Sequence, residues 1–231
     1  MNLLAIDTAC SILSVAVARS RQGEEEEILY AEIEAGIKHS ELVMDFIDSQ
    51  MKKASLSPCD LDGVLCMGGP GSFTGLRIGF SIAKGLALSL CVPFAAVPTL
   101  DCIAFSCRGS GLVLAAIEAR KNAWFFGIYR DEKPLLPVSD AAAVQIAAEI
   151  ERLIENKTEK ITLTGPGAAS LYASLPQKIK NIINPVLEKR GYAGVLIAIA
   201  KKDNLPDNKN TALLYSGPEY VRKTDAELNL L

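Results

Sequence analysis

Gly68-Gly69-Pro70-Gly71-Ser72-Phe73-Thr74-Gly75-Leu76-Arg77-Ile78-Gly79 lies between a short apolar run at residues 63–67 (Gly-Val-Leu-Cys-Met) and a helical pattern that continues to about Leu90. A buried strand, a glycine turn and a long helix in that order point to an α/β fold. The glycines let the backbone turn sharply and approach a neighbour closely, and the helix start offers unpaired N–H groups to an anion. No Lys-Ser/Thr follows the glycines, so the stretch is not a P-loop, and its spacing is not G-x-G-x-x-G. Its length and glycine density set it apart from a generic anion-binding turn.

Within the helix, Gly75, Gly79, Ala83 and Ala87 recur every fourth residue and share one face. A glycine inside a helix costs roughly 1 kcal/mol relative to alanine, and close contact with another helix is a reason to bear that cost. The contact is expected between molecules; a contact inside the lobe is the alternative. The expected interface comprises Gly75, Leu76, Gly79, Ala83 and Ala87, with Leu42 and Phe46 from the preceding helix. It would serve a homodimer and a partner in turn, as a four-helix bundle that a bulky residue at Gly79 would break.

Outward from this stretch, residues 3–7, 12–18 and 28–34 read as strands joined by short connections, an antiparallel meander. A helix capped at Ser40 runs to about Ala54, and residues 93–97 form another strand before a helix starting at Thr99. The first hundred residues thus read β-β-β-α-β-α-β-α. The second half repeats a weaker version: strands at 112–117, 124–129 and 160–164, and helices at 140–155 and 194–201. Two similar α/β lobes, the second eroded, divide near Arg108-Gly109-Ser110-Gly111, giving 1–108 and 109–231, with the final segment free to pack back on the first lobe.

Composition narrows the function. The 231 residues carry a formal net charge of −3, which argues against nucleic-acid binding through a broad basic face. Mean hydropathy is high at +0.22, yet no apolar run approaches the ~20 residues of a membrane span. A well-filled core would account for the excess, and so would an apolar face covered by a partner. The N-terminus lacks a basic flank and six cysteines form no C-x-x-C pair, so reduced thiols and a cytoplasmic location are expected. A single histidine, His39, excludes any two-histidine metal site. Beside Ser40 and Glu41 it reads either as a ligand-binding imidazole or as a polar residue at a helix start.

Asp7, at the end of the first strand, has two readings. It can hold Mg²⁺ or orient a water beside a phosphate, since open α/β sheets bind ligands at the carboxyl ends of their strands. It can equally cap the strand turn by accepting backbone N–H bonds. Glu118-Ala119-Arg120-Lys121 is either a charged crevice lip or a plain hairpin turn.

The segment Pro70–Gly79 resembles the signature of the TsaB (YeaZ) family. Leu4-Ala5-Ile6-Asp7-Thr8, His39-Ser40, Ala115-Ala116-Ile117-Glu118-Ala119-Arg120 and Pro218-Glu219-Tyr220-Val221-Arg222 match that family in the expected order. The resemblance implies an actin/hexokinase/Hsp70-like fold with two ribonuclease-H-like lobes, the second reduced. It implies a part in making N6-threonylcarbamoyladenosine in tRNA, as partner of a larger TsaD-like subunit that transfers the threonylcarbamoyl group, joined by a small TsaE-like ATPase. Contact with tRNA would come only through that complex, and no membrane is involved.

The related transferase holds its metal with an H-x-x-x-H pair, which a chain with one histidine cannot reproduce. Asp7, Thr8, Gly69, Gly71, Ser72 and Thr74 are then the candidate remnants of a phosphate site. The second-lobe hairpin near Leu112–Ala119 lacks a glycine cluster, and Gly165-Pro166-Gly167 is a candidate remnant of an adenosine loop. The expectation is a scaffold or activator with no cofactor of its own, ATP or ADP being held, if at all, at an interface with partners. The alternatives are an ATP-dependent enzyme of the actin-like superfamily using Asp7 and Glu118, and an M22-type peptidase acting on its partner.

Overall fold

Alternating apolar residues at the N-terminus build a hairpin and a third strand: β1 (Leu3–Asp7), β2 (Ile12–Arg19) and β3 (Glu27–Glu34), all antiparallel. The computed structural model describes residues 1–21, 23, 25–154, 159–187, 189–205 and 216–219. After β3 come α1 (His39–Lys53), β4 (Gly63–Gly69), α2 (Phe73–Leu90), β5 (Phe94–Pro98) and α3 (Thr99–Phe105). β4 runs parallel to β1 and β5 parallel to β4, giving the order β3-β2-β1-β4-β5.

The second half repeats this plan. β6 (Leu112–Glu118) pairs antiparallel with β7 (Trp124–Arg130), which in turn pairs with β8 (Lys133–Pro134) and β9 (Ser139–Ala141). After α4 (Ala143–Leu153), β10 (Ile161–Thr164) runs parallel to β6. α5 (Ala168–Ser174) and α6 (Gln177–Lys180) lead to β11 (Ile183–Pro185), which is parallel to β10. The order β8-β7-β6-β10-β11 is the ribonuclease-H-like order of the first sheet, with the third strand shrunk to two short pieces. The final described helix is α7 (Ala193–Lys202).

The chain forms two compact units, one made of Met1–Cys102 with Arg190–Pro218, the other centred on Ile103–Lys189. The 108/109 division expected from sequence lies in the turn after α3.

In the first unit the strand period of two sorts the side chains. Leu4, Ile6, Leu13, Val15 and Val17 face α1 and α2, where Val43, Ile47, Met51, Phe80, Ala83 and Ala87 complete one core. The alternate set, Ala5, Asp7, Ser14 and Ala16, lies on the opposite side, which α7 covers.

Two local expectations need correction. α1 starts at His39 with Lys38 at its N-cap position, so Ser40 lies inside the first turn and does not cap it. The other concerns α2. Gly75, Gly79, Ala83 and Ala87 are buried within the unit, and so is Leu76. A Cβ at Gly79 would stand 2.5 Å from Thr8 Oγ1, and one at Gly75 would overlap the Thr8 carbonyl oxygen. Gly75 and Gly79 therefore let α2 press on the end of β1, while Ala83 and Ala87 face the core.

This packing fixes what Gly79→Leu does. The substitution drives a side chain onto Thr8 and should destabilise the folded chain by about 3 kcal/mol, lowering its urea midpoint. A variant with unchanged stability would mean that α2 does not sit this close to β1.

Candidate functional site

All but Thr74 of the expected phosphate-site residues are engaged by neighbouring groups of the same unit. Thr8 Oγ1 donates to the Gly75 carbonyl at 2.7 Å. The Ser72 amide donates to the Ala9 carbonyl at 2.6 Å, and the Gly69 amide to Thr99 Oγ1 at 3.2 Å. Ser72 is the N-cap of α2, its hydroxyl accepting from the Gly75 amide at 3.2 Å. A Cβ at Gly71 would lie 2.6 Å from the Ala9 carbonyl oxygen. Gly69 has φ +107°, a conformation L side chains rarely adopt. Thr74 is exposed on the first turn of α2.

Asp7 is 2% exposed. Its Oδ1 accepts from the Ala9 amide at 3.0 Å and its Oδ2 from the Tyr192 amide at 2.9 Å. Of the two readings open from sequence, this geometry is that of a cap satisfied by backbone N–H groups. Burial pushes the carboxyl up to about 6, aided by the neighbouring Glu32 charge and opposed by these hydrogen bonds. Ionising Asp7 in the fold thus costs roughly 3 kcal/mol more than in the unfolded chain. A raised value favours the protonated fold. The stabilising contribution is complete below 3.8 and is lost as pH rises through about 6.

These contacts test the residues against a nucleotide. The Asp7 carboxylate already serves two amides, the Ser72 and Gly69 amides already have acceptors, and the Gly71 backbone is pressed on Ala9. On this side the residues do not fit a phosphate group as they stand. In the second unit, Glu118 is exposed at the end of β6. Gly167 packs against the same strand end, where a Cβ would lie 2.6 Å from the Glu118 amide nitrogen. Among the described residues no group of three or more His, Cys, Asp and Glu side chains could hold a metal ion, and no helix is long and apolar enough to cross a membrane.

His39, at the start of α1, is 4% exposed, and its Nε2 has no hydrogen-bond partner. Burial pushes its pKa below the ordinary 6.5, although the carbonyls of Cys10, Ile12 and Gly36 favour the charged ring. Its stabilising contribution is present above 6.5 and is lost as pH falls through the folded value, the opposite direction from Asp7.

The family model described as TsaD, tRNA N6-adenosine threonylcarbamoyltransferase, matches residues 32–229. A Bacillus subtilis protein, tRNA threonylcarbamoyladenosine biosynthesis protein TsaB, is 31% identical across 98% of this chain and 96% of its own length. The chain belongs to the TsaB (YeaZ) family. The Escherichia coli TsaB protein is 33% identical, again across 98% of this chain and 96% of its own. YeaZ from Pseudomonas aeruginosa superposes with a TM-score of 0.72 at 22% identity, covering 87% of this chain and 92% of that one. The ethanolamine utilization protein EutJ from Carboxydothermus hydrogenoformans shares the fold at TM-score 0.52 and 9% identity, covering 86% of this chain and 90% of its own. With the repeated strand order, the architecture is the actin/hexokinase/Hsp70-like α/β fold.

Within that family signature, Pro218 and Glu219 are described, while Tyr220, Val221 and Arg222 lie outside the described residues. Sequence reasoning missed the stripe on α2 that borders the core. Ile78 and Ile82 are half-buried there, and Gly85 has open space where a side chain would stand. The spacing 78, 82, 85 is a helix stripe of its own, and that was the signal available.

His39→Leu should hold stability at pH 7 within about 1 kcal/mol, because an apolar side chain removes an unsatisfied buried nitrogen. It should also flatten the loss of stability between pH 7 and 5. Denaturant titrations at several pH values check both; an unchanged acid slope would show that His39 does not titrate as described.

Proposed function

We propose that the chain is a non-catalytic subunit in tRNA N6-threonylcarbamoyladenosine biosynthesis, a scaffold or activator for a larger TsaD-like transferase. The reading rests on one observation: the groups that would receive a phosphate in the first unit are consumed by contacts within it. A chain of this family with its crevice groups so occupied serves by presenting a surface. A small TsaE-like ATPase joins the pair, any nucleotide is held at an interface with partners, tRNA is met through the assembled complex, and the work is cytoplasmic.

The surface is the outer side of α1 and α2. Leu42 and Phe46 on α1 and Ile78 and Ile82 on α2 are half-buried, and Gly85 gives a partner helix room to approach. Gly85 makes no contact that requires glycine, so it bears roughly 1 kcal/mol of helix cost that nothing inside the unit offsets. The isolated chain pairs with itself through this face, and the larger subunit displaces that copy. A related helix from a paralogue can take the same ridges-into-grooves packing.

The decisive experiment combines the larger subunit, the small ATPase, tRNA and the threonylcarbamoyl donor, with and without this chain, and assays the modified nucleoside. Modification should require the chain, while the chain alone turns over neither ATP nor peptide. ATP turnover by the isolated chain would favour the actin-like ATPase reading, and cleavage of the partner the M22-type peptidase reading.

A pair of substitutions locates the surface. Gly85→Ala should stabilise the isolated chain by up to about 1 kcal/mol, and Gly85→Leu should leave it folded while weakening both assemblies. Sedimentation read together with urea unfolding checks this, and unchanged association in folded Gly85→Leu would place the interface elsewhere.

A further inference from the structure

β3 is the outermost strand of its sheet, and among the described residues no strand lies beyond it. The direction of its backbone groups can be read from its end. β2 and β3 pair antiparallel with Ile12 opposite Glu34, which places Ser11 opposite Ala35. The Ala35 amide donates to the Ser11 carbonyl at 3.0 Å. Bonded and unbonded pairs alternate along an antiparallel ladder. Leu29, Ala31 and Ile33 therefore turn their N–H and C=O groups to β2, and Ile28, Tyr30, Glu32 and Glu34 turn theirs outward.

This edge is open to pairing. The strand Glu-Ile-Leu-Tyr-Ala-Glu-Ile-Glu holds no proline or glycine, and no bulge interrupts its register with β2. Ile28 is 44% exposed, Tyr30 42% and Ile33 40%. An edge with exposed apolar residues is a template for another strand unless lysine, proline or a bulge blunts it; β3 carries none of these. It is also held in shape. Glu32 accepts from the Gly191 amide at 2.6 Å and from the Tyr30 hydroxyl, whose oxygen lies 3.0 Å from the Gly191 carbonyl oxygen. An edge fixed in this way loses little freedom when a strand is added.

Charge selects the occupant. From Glu25 to Glu34 the chain holds five carboxylates and no base. Arg19 pairs with Glu27 at 2.7 Å and Lys201 with Glu26. Among the described residues no ion pair reaches Glu32 or Glu34. A second copy of the strand would add the same negative charge with no base to offset it. A basic strand meets no such penalty. The residues whose backbone faces outward also share one side of the strand, Ile28 and Tyr30 at one end and Glu32 and Glu34 at the other.

We propose that β3 is a docking edge that takes an extended basic segment of a partner protein as an added antiparallel strand. The matching segment carries apolar residues opposite Ile28 and Tyr30 and Lys or Arg opposite Glu32 and Glu34. Backbone hydrogen bonds supply the pairing and the alternate side chains its selectivity. The edge is separate from the outer side of α1 and α2, and the proposal does not rest on what that side binds.

The test uses the full chain and the end-blocked synthetic peptide Arg-Val-Arg-Thr-Val-Thr-Val-Lys. Fluorescence anisotropy should show saturable binding that weakens as salt is raised, and the same peptide with Glu in place of Arg and Lys should not bind. Glu34→Lys, an exposed substitution, should weaken binding roughly tenfold or more with the urea midpoint little changed. N-methylation of one alternate set of peptide amides should abolish binding, and methylation of the other set should spare it. With peptide at about ten times its dissociation constant, exchange of the Tyr30 and Glu32 amides should slow about tenfold. Absence of saturable binding, equal tolerance of both methylated peptides, or unchanged affinity in folded Glu34→Lys would each overturn the proposal. Protection of the Tyr30 and Glu32 amides that grows with chain concentration in the absence of peptide would also overturn it and assign the edge to a second copy.

Discussion

The first unit depends on how closely α2 and its leading loop approach the β1–β2 turn. Thr8 and Ala9 present carbonyl oxygens and a hydroxyl to Gly71, Gly75 and Gly79, with no room for a methyl group at any of the three. The Thr8 hydroxyl bonds a helix carbonyl and the Ser72 amide bonds the Ala9 carbonyl, so strand end, turn and helix start are locked as one piece. Helix glycine is costly, and here it is offset by packing a helix backbone directly on a strand end. The same closeness gives the Ser72 and Gly69 amides of the glycine loop acceptors within the unit.

A second consequence is electrostatic. Asp7 is buried at the end of β1, and the backbone of Cys10 and Ile12 just after it meets the buried His39. Burial acts on both and in opposite senses, raising the acid and lowering the base. The fold thus holds a carboxyl favoured in its protonated form and an imidazole favoured in its neutral form. Catalytic sites also shift pKa values. Here both Asp7 oxygens are already engaged by backbone amides.

The sides of α2 are divided by helix geometry. α2 turns its small residues into the unit, keeps Ile78 and Ile82 half-buried at the edge of that core, and leaves Gly85 exposed. Two sets of small residues on one helix have different causes. Gly75 and Gly79 are required by atoms of the same unit, whereas Gly85 faces open space. Sequence spacing alone treats all of them as candidates for a partner.

Much of the fold was legible because it is written locally. The alternation in β1–β3, the glycine turn before α2 and the apolar period of α1 and α2 come from neighbouring residues, and they fixed the element order of the first unit. The short β8, β9 and β11 and the small helices α5 and α6 were missed, since pieces of two to seven residues carry too few positions for a period. The family motifs were also legible, since they are runs of adjacent residues. What tertiary structure alone decided was direction and partnership. Whether α2 turned its glycines inward depended on Thr8, 67 residues from Gly75. Whether Asp7 met a ligand or an amide depended on Tyr192, 185 residues away. A carboxylate at a strand end is the same residue in both cases, and only the folded chain brings up the group that occupies it.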